Sequence, residues 1–478
     1  MANTTPTTNS LENYFLPFTA NKDFKKDPRL LDRGEGVYYW NHKGDTVIDA
    51  SSGLFCVPLG HGRKEIAEAV HNQLLKLDYS PSFQVSHLPA FACAEKVANM
   101  LPGDLNNVFF TICGSTAIDS AIKIVQAYQH AIGQSHRMKF VSRERAYHGV
   151  NIGGTSLSGM IKNREIFTAA MPGVIHLRHT WMEENKFTKG QPEHGAHLAD
   201  DLQRFVDMYG PESIAACFVE PIAGSTGTLV PPKGYLEKLR ATCDKYGIVL
   251  IFDEVITGFG RTGKSFGSVK YNVQPDMITM AKAITNGAQP MGAVGVSDKI
   301  YNAIVDNGPE HGVEFFHGYT YSGHPACVAA SLATLDIYEN RNFQLISSLE
   351  YQFSLLLGQQ TGYQHIDAFY RKPYDKIKVL VDKSLSKVQY RIMDQLKCHP
   401  LEALARKVDN KIIVSLGANQ GLKEGKVGII SPNGNDMNMN DWIVVTVKNT
   451  NGDFSEIEPL NPNNENDIIE GKFIKFLK

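Results

Sequence analysis

The chain has no Cys-x-x-Cys pair, no apolar run approaching the roughly 20 residues that span a bilayer, and almost no net charge. Each absence removes a class of function. The seven cysteines, at 56, 93, 113, 217, 243, 327 and 398, are odd in number and scattered, so neither a disulfide framework nor a zinc site is indicated. They read as buried thiols in a reducing compartment. With 48 Lys and Arg against 50 Asp and Glu, nothing marks nucleic acid or an anionic membrane as the main partner. The first ten residues lack the basic and apolar regions of a secretion signal, so a cytoplasmic protein is expected. His194 and His197 are separated by Gly195, which favours a turn over a metal site, and no metal is expected.

What is present is an alternation of short apolar runs and helical patterns over a chain of 478 residues, long enough for one large α/β domain and a smaller companion. Residues Gly36 to Asp49 alternate around Asn41-His42-Lys43-Gly44-Asp45 and predict a β-hairpin. Val108–Thr111, Met138–Val141, Ile214–Val219, Ile248–Val255 and Asp276–Lys282 predict strands of a mostly parallel sheet covered on both faces. Val108–Thr111 feeds a helix with apolar positions at Ile118, Ala121, Ile122 and Val125. Gly114 and Ser115 open that helix, where free N–H groups and the helix dipole can bind phosphate; the alternative is that Ser115 or Thr116 only caps it.

Two strand ends carry chemistry. Lys282 follows an apolar strand and precedes a glycine turn, so its amine can be held rigid, partly desolvated and nucleophilic toward an aldehyde. Asp253 closes Ile248–Val255, and a buried aspartate needs a cationic partner such as a protonated heterocycle. Ligands of open α/β sheets sit beyond the carboxyl ends of the strands, so both groups can face one pocket. An acid for a pyridinium nitrogen and a lysine for an aldehyde are what pyridoxal 5'-phosphate requires.

Three longer runs occur in order: Glu220-Pro221-Ile222-Ala223-Gly224-Ser225-Thr226-Gly227, Phe252-Asp253-Glu254-Val255 through Arg261-Thr262-Gly263, and Phe316-His317-Gly318-Tyr319-Thr320-Tyr321-Ser322-Gly323-His324-Pro325. Together they resemble the class III pyridoxal-phosphate aminotransferases, in particular the ω-amino acid:pyruvate (β-alanine:pyruvate) branch, from about residue 10 to Tyr338. The resemblance implies a fold type I large domain of α/β class and a ping-pong transfer from an amine to a keto acid, with Lys282 as base and then acid. It implies Tyr147, in Tyr147-His148-Gly149, stacking on the cofactor ring with Val255 opposite, and Glu220 ordering the pocket. It also implies Gly114 and Ser115 as phosphate ligands, although Ile112-Cys113-Gly114-Ser115-Thr116-Ala117 departs from the family's Asn-Ser-Gly-Ser-Glu-Ala. The resemblance further implies Phe55 at the substrate entrance, where the family often has Trp, and a homodimer in which Thr320 of the second copy meets the cofactor phosphate.

Beyond about Asn342 the family pattern stops, and no stretch matches the arginine with which the family grips a substrate carboxylate. The expected organisation is an amino-terminal part of the small domain over 1–60, the cofactor-binding domain over 61–345, a linker over 346–385 and an unrelated module over 386–478. In that module an amphipathic helix is expected from Lys387 to Val408, followed by strands at Lys411–Leu416 and Trp442–Val447, giving an α+β or small β unit with no identified partner. Gly417 to Gly425 resembles turns of small β modules in bacterial envelope and flagellar assembly proteins. Two rival functions follow: another reaction on the same cofactor scaffold, or an inactive assembly subunit.

Overall fold

The computed structural model describes residues 11–167, 170–185, 188, 190–339, 401–408, 411–430, 443–460, 469 and 471–476. The chain divides into two compact units, 1–371 and 372–478.

The first unit opens with a three-stranded antiparallel sheet, β1 (Leu31–Glu35), β2 (Tyr38–Asn41) and β3 (Thr46–Ile48). The expected hairpin is its β2–β3 half. The sheet that follows contains β4 (Asn107–Thr111), β5 (Lys139–Arg143), β6 (Val174–Leu177), β7 (Ile214–Val219), β8 (Val249–Asp253), β9 (Met277–Met280) and β10 (Gly292–Val296), in the spatial order β4-β10-β9-β8-β7-β5-β6. The β6-β5-β7-β8-β9 run is parallel, and β10 lies antiparallel to both its neighbours.

Alternate residues of each strand feed opposite cores. Cys217, Val219, Leu250 and Phe252 enter one cluster, while Ala216, Phe218, Val249 and Ile251 enter the other. This two-sided burial is why the strands read as unbroken apolar runs rather than alternating ones. The parallel register pairs Asp253 with Thr279, so the carboxyl ends of β8 and β9 finish side by side.

The second unit is a closed antiparallel barrel of β11 (Leu401–Val408), β12 (Lys411–Val414), β13 (Val427–Ile430), β14 (Ile443–Thr450), β15 (Ser455–Pro459) and β16 (Phe473–Phe476), ordered β11-β12-β15-β14-β13-β16. Ile412, Val414, Leu422, Val445, Val447, Ile457, Ile474 and Phe476 fill it.

The helix expected over Lys387 to Val408 is corrected where it is described: residues 401–408 are β11, and the rest lies outside the described residues, as does the expected linker. Ala403 and Ala405 are good helix formers, but pairing with Ile474 and Val414 and burial inside the barrel override that preference. Among the described residues no helix is long and apolar enough to cross a membrane.

Candidate active site

A cavity of about 420 Å³ opens at the carboxyl ends of the parallel strands, and Asp253 and Lys282 both line it. Around them stand Gly114, Ser115, Tyr147, His148, Glu220 and Val255. This is the strand-end position at which open α/β sheets take ligands.

Its floor is the tip of β8. Asp253 is 6% exposed, and its carboxylate is fully engaged on the protein side. Oδ1 accepts from the Val255 N–H and the Thr279 hydroxyl, both at 3.2 Å, and Oδ2 meets His148 Nδ1 at 2.8 Å. His148, supplied by the loop after β5, is thus one hydrogen-bond partner of the buried carboxylate. His148 Nε2 is buried with no hydrogen-bond partner. Glu220 is also buried, and burial pushes its carboxyl above the usual range. Its two oxygens accept from the N–H groups of Tyr147 (3.0 Å) and Gly224 (3.1 Å), tying the loops after β5 and β7 together.

Lys282 sits just past β9, with φ +54°. For a residue with a side chain this left-handed geometry costs about 1–2 kcal/mol, so the tertiary structure holds it there. Burial holds the Lys282 ammonium below its ordinary range, against the opposing pull of Cys56, Asp253 and Glu220 and with the help of Arg261. The loop that follows is fastened to the amino-terminal segment: Asn286 accepts from the Leu59 N–H at 2.9 Å and donates to the Gly60 carbonyl at 3.0 Å.

On the wall opposite the floor, the helix Gly114–Ala131 begins with its first amides at the cavity. The Thr116 hydroxyl accepts from the Cys113 N–H at 3.0 Å and closes the helix start, so capping falls to Thr116. Ser115 is left to face the cavity, its Oγ accepting from the Val150 N–H at 3.1 Å. The approach is close: a Cβ at Gly114 would stand 3.1 Å from a Val255 methyl, and one at Gly149 would stand 2.5 Å from Ser115 Oγ.

Over residues 52–55 the chain makes a left-handed turn, with φ of +53°, +52°, +62° and +65° at Ser52, Gly53, Leu54 and Phe55. It brings the Phe55 ring centre to 5.5 Å from Lys282 Nζ and Cys56 into the cavity lining.

The structure therefore gathers Lys282, Asp253, Gly114, Ser115, Tyr147, Glu220 and Val255 around one cavity, with Phe55 beside the amine. Thr320 is not among them: it is exposed, and its carbonyl accepts from the Tyr79 hydroxyl at 3.0 Å. Cys113 is corrected from buried to exposed and Cys56 to half-buried, because both lie on the cavity rather than in the core. In sequence alone His148 and Thr279 have no assigned role, and Cys56 only that of a buried thiol. Only His148 carried a signal, its place beside Tyr147.

A phosphorylated pyridine aldehyde fits these groups. A buried acid stands where a ring N–H can be met, a desolvated amine where an aldehyde can be held, and glycine-lined helix amides where phosphate can lie.

Comparison with known proteins agrees. The family Aminotransferase class-III matches residues 19–366, past the Tyr338 limit read from the motifs. An omega-aminotransferase of Caulobacter vibrioides is 50% identical over 344 residues, 72% of this chain and 78% of that protein. An omega-amino acid–pyruvate aminotransferase of Pseudomonas putida is 49% identical over 334 residues, 70% of this chain and 74% of that protein. Among solved structures, an (S)-enantioselective omega-transaminase from Thermomicrobium roseum superposes with a TM-score of 0.67 at 34% identity, covering 85% of this chain and 82% of its own. A PLP-bound amine transaminase from an uncultivated Pseudomonas species gives 0.64 at 35% identity, covering 69% and 74%. The chain belongs to the class III aminotransferases, a family of pyridoxal-phosphate-dependent enzymes.

Proposed function

We propose that this protein moves an amino group from an ω-amino acid or other amine, such as β-alanine, to pyruvate by a ping-pong transamination, with pyridoxal 5'-phosphate held in the Asp253–Lys282 cavity. The observation that carries this reading is the convergence of that acid and that amine from adjacent strand tips. Relatives named for ω-amino acid and β-alanine transfer to pyruvate, at 49% identity, support the substrate class. When bound, the cofactor supplies an electron sink for the carbon that loses a proton.

The protein's own groups do the rest. Gly114 and Ser115 would hold the phosphate at the helix amino terminus, and Tyr147 and Val255 would bound the ring. Asp253, oriented by His148 and Thr279, would keep the ring nitrogen protonated. Glu220 fixes the two loops that shape the cavity. Lys282 Nζ would take the proton from the substrate's amine-bearing carbon and, as the ammonium, would deliver it to the carbon that the cofactor's aldehyde group contributes. Its lowered pKa places it closer to working pH, where a group can serve as both base and acid. Thr320 belongs to the phosphate site of a second copy in a homodimer. The unpaired thiols among the described residues suit a reducing cytoplasm.

Purified protein given the cofactor, pyruvate and β-alanine or a benzylic amine is expected to form alanine. Cofactor absorbance without alanine from either donor would point to another reaction on the same scaffold. Absence of both would support the assembly-subunit reading, which draws on the quarter or so of the relatives' length left unmatched and on the barrel in this chain.

We also propose the module boundary near residue 386, with 61–345 as the cofactor domain. The barrel has its own core and ladder, so residues 386–478 expressed alone should melt in one cooperative transition by circular dichroism. A featureless, non-cooperative melt would refute the boundary.

A further inference from the structure

The left-handed turn at 52–55 raises the question of what holds it closed. Three of its four residues carry side chains in a backbone region that disfavours them, and Leu54 is 76% exposed, so little apolar burial secures the turn from outside. On its inner side two cations reach it from far along the chain, and one of them bonds to its backbone. Arg261 Nη2 donates to the Phe55 carbonyl at 3.0 Å, and the guanidinium carbon lies 6.0 Å from the Phe55 ring centre. Lys282 Nζ lies 5.5 Å from the same ring centre.

Arg261 is presented by a firm base. Phe259 is buried and packs edge-on against buried Phe266 at 5.2 Å, and the Gly260 and Gly263 amides close the loop by bonding to Ser265 and Gly260 carbonyls. The partners differ in kind: a core-anchored guanidinium on one side, a strained and half-buried turn with an exposed Leu54 on the other.

The geometry points to Arg261 as a positioning residue that latches the 52–55 turn, fixing Phe55 beside Lys282 as the wall against which the amine substrate is placed. The latch takes hold at a backbone carbonyl, so it acts on the course of the chain as well as on the ring. Its hydrogen bond to the carbonyl is charge-assisted, the stronger kind. Releasing it lets the turn relax out of the left-handed region, and Phe55 and Cys56 leave the cavity together.

The role of Phe55 in this inference rests on the transaminase reading, but the latch itself can be tested without turnover. In the full-length, cofactor-free protein, Cys56 is alkylated with iodoacetamide and followed by peptide mass mapping, with exposed Cys113 as the internal reference. Arg261→Gln is expected to speed labelling of Cys56 relative to Cys113 about tenfold. Arg261→Lys, which keeps the charge but loses the planar fork, should give an intermediate rate.

In the cofactor-loaded enzyme, Arg261→Gln should raise KM for the amine donor about tenfold while kcat changes less than threefold. Equal relative Cys56 labelling in wild type and both variants would overturn the latch. Faster Cys56 labelling with an unchanged KM would keep the latch and overturn the role of Phe55 in placing substrate. If Arg261→Gln does not fold, the Arg261→Lys labelling ratio alone decides: a value equal to wild type refutes the latch.

Discussion

Lys282→Ala is expected to lose the visible absorbance of bound cofactor and to slow transamination by roughly a thousandfold or more. Lys282 is the only amine among the described residues that line the cavity, so no neighbour takes over its attachment or its proton. Stability should move the other way. Burial lowers the pKa of Lys282 below its value of 10.5 in an unfolded chain. Folding therefore favours the neutral amine, and the charged form costs stability at every pH below the folded pKa. That cost fades as pH rises through the folded pKa toward 10.5. Without cofactor, the alanine variant should melt above wild type at neutral pH, with the gap narrowing as pH increases. A variant that keeps absorbance and turnover, or a gap that widens with pH, would remove Lys282 from its assigned role.

Asp253→Asn gives a different signature. The amide is nearly isosteric and can still accept from Thr279 and Val255, so the floor of the cavity should keep its shape. What goes is the negative charge, together with the acceptor that meets His148 Nδ1 at 2.8 Å. With Lys282 intact, cofactor absorbance should remain, while kcat falls by about 10²–10³, the range expected when one electrostatic stabiliser is removed from a water-poor site. Loss of absorbance in step with activity would mean that Asp253 serves binding alone. Unchanged kcat would mean that it does not face the reacting ring.

The sheet and the two strand-tip groups were legible because their signals are local. Val249–Asp253 and Met277–Met280 are buried on both faces, which requires unbroken apolar sequence, and each run ends where its functional residue begins. Contacts between distant segments left no such trace. His148 meets Asp253 across 105 residues, and Arg261 meets Phe55 across 206, so neither pairing appears in any window of sequence. The Thr116 cap was one of two options offered by adjacent hydroxyls, and only the fold distinguishes them. In the barrel, Leu401–Val408 contains residues that suit a helix as well as a strand, and cross-strand partners decided between them.

The ring formed by β11 to β16 has a bearing on how the protein behaves at high concentration. Each of its described strands has two neighbours, so none of these offers a free row of amides and carbonyls to another molecule. Among the described residues the closed ring presents no template for fibre growth, and what it offers a partner is its loops and outward side chains in place of an added strand.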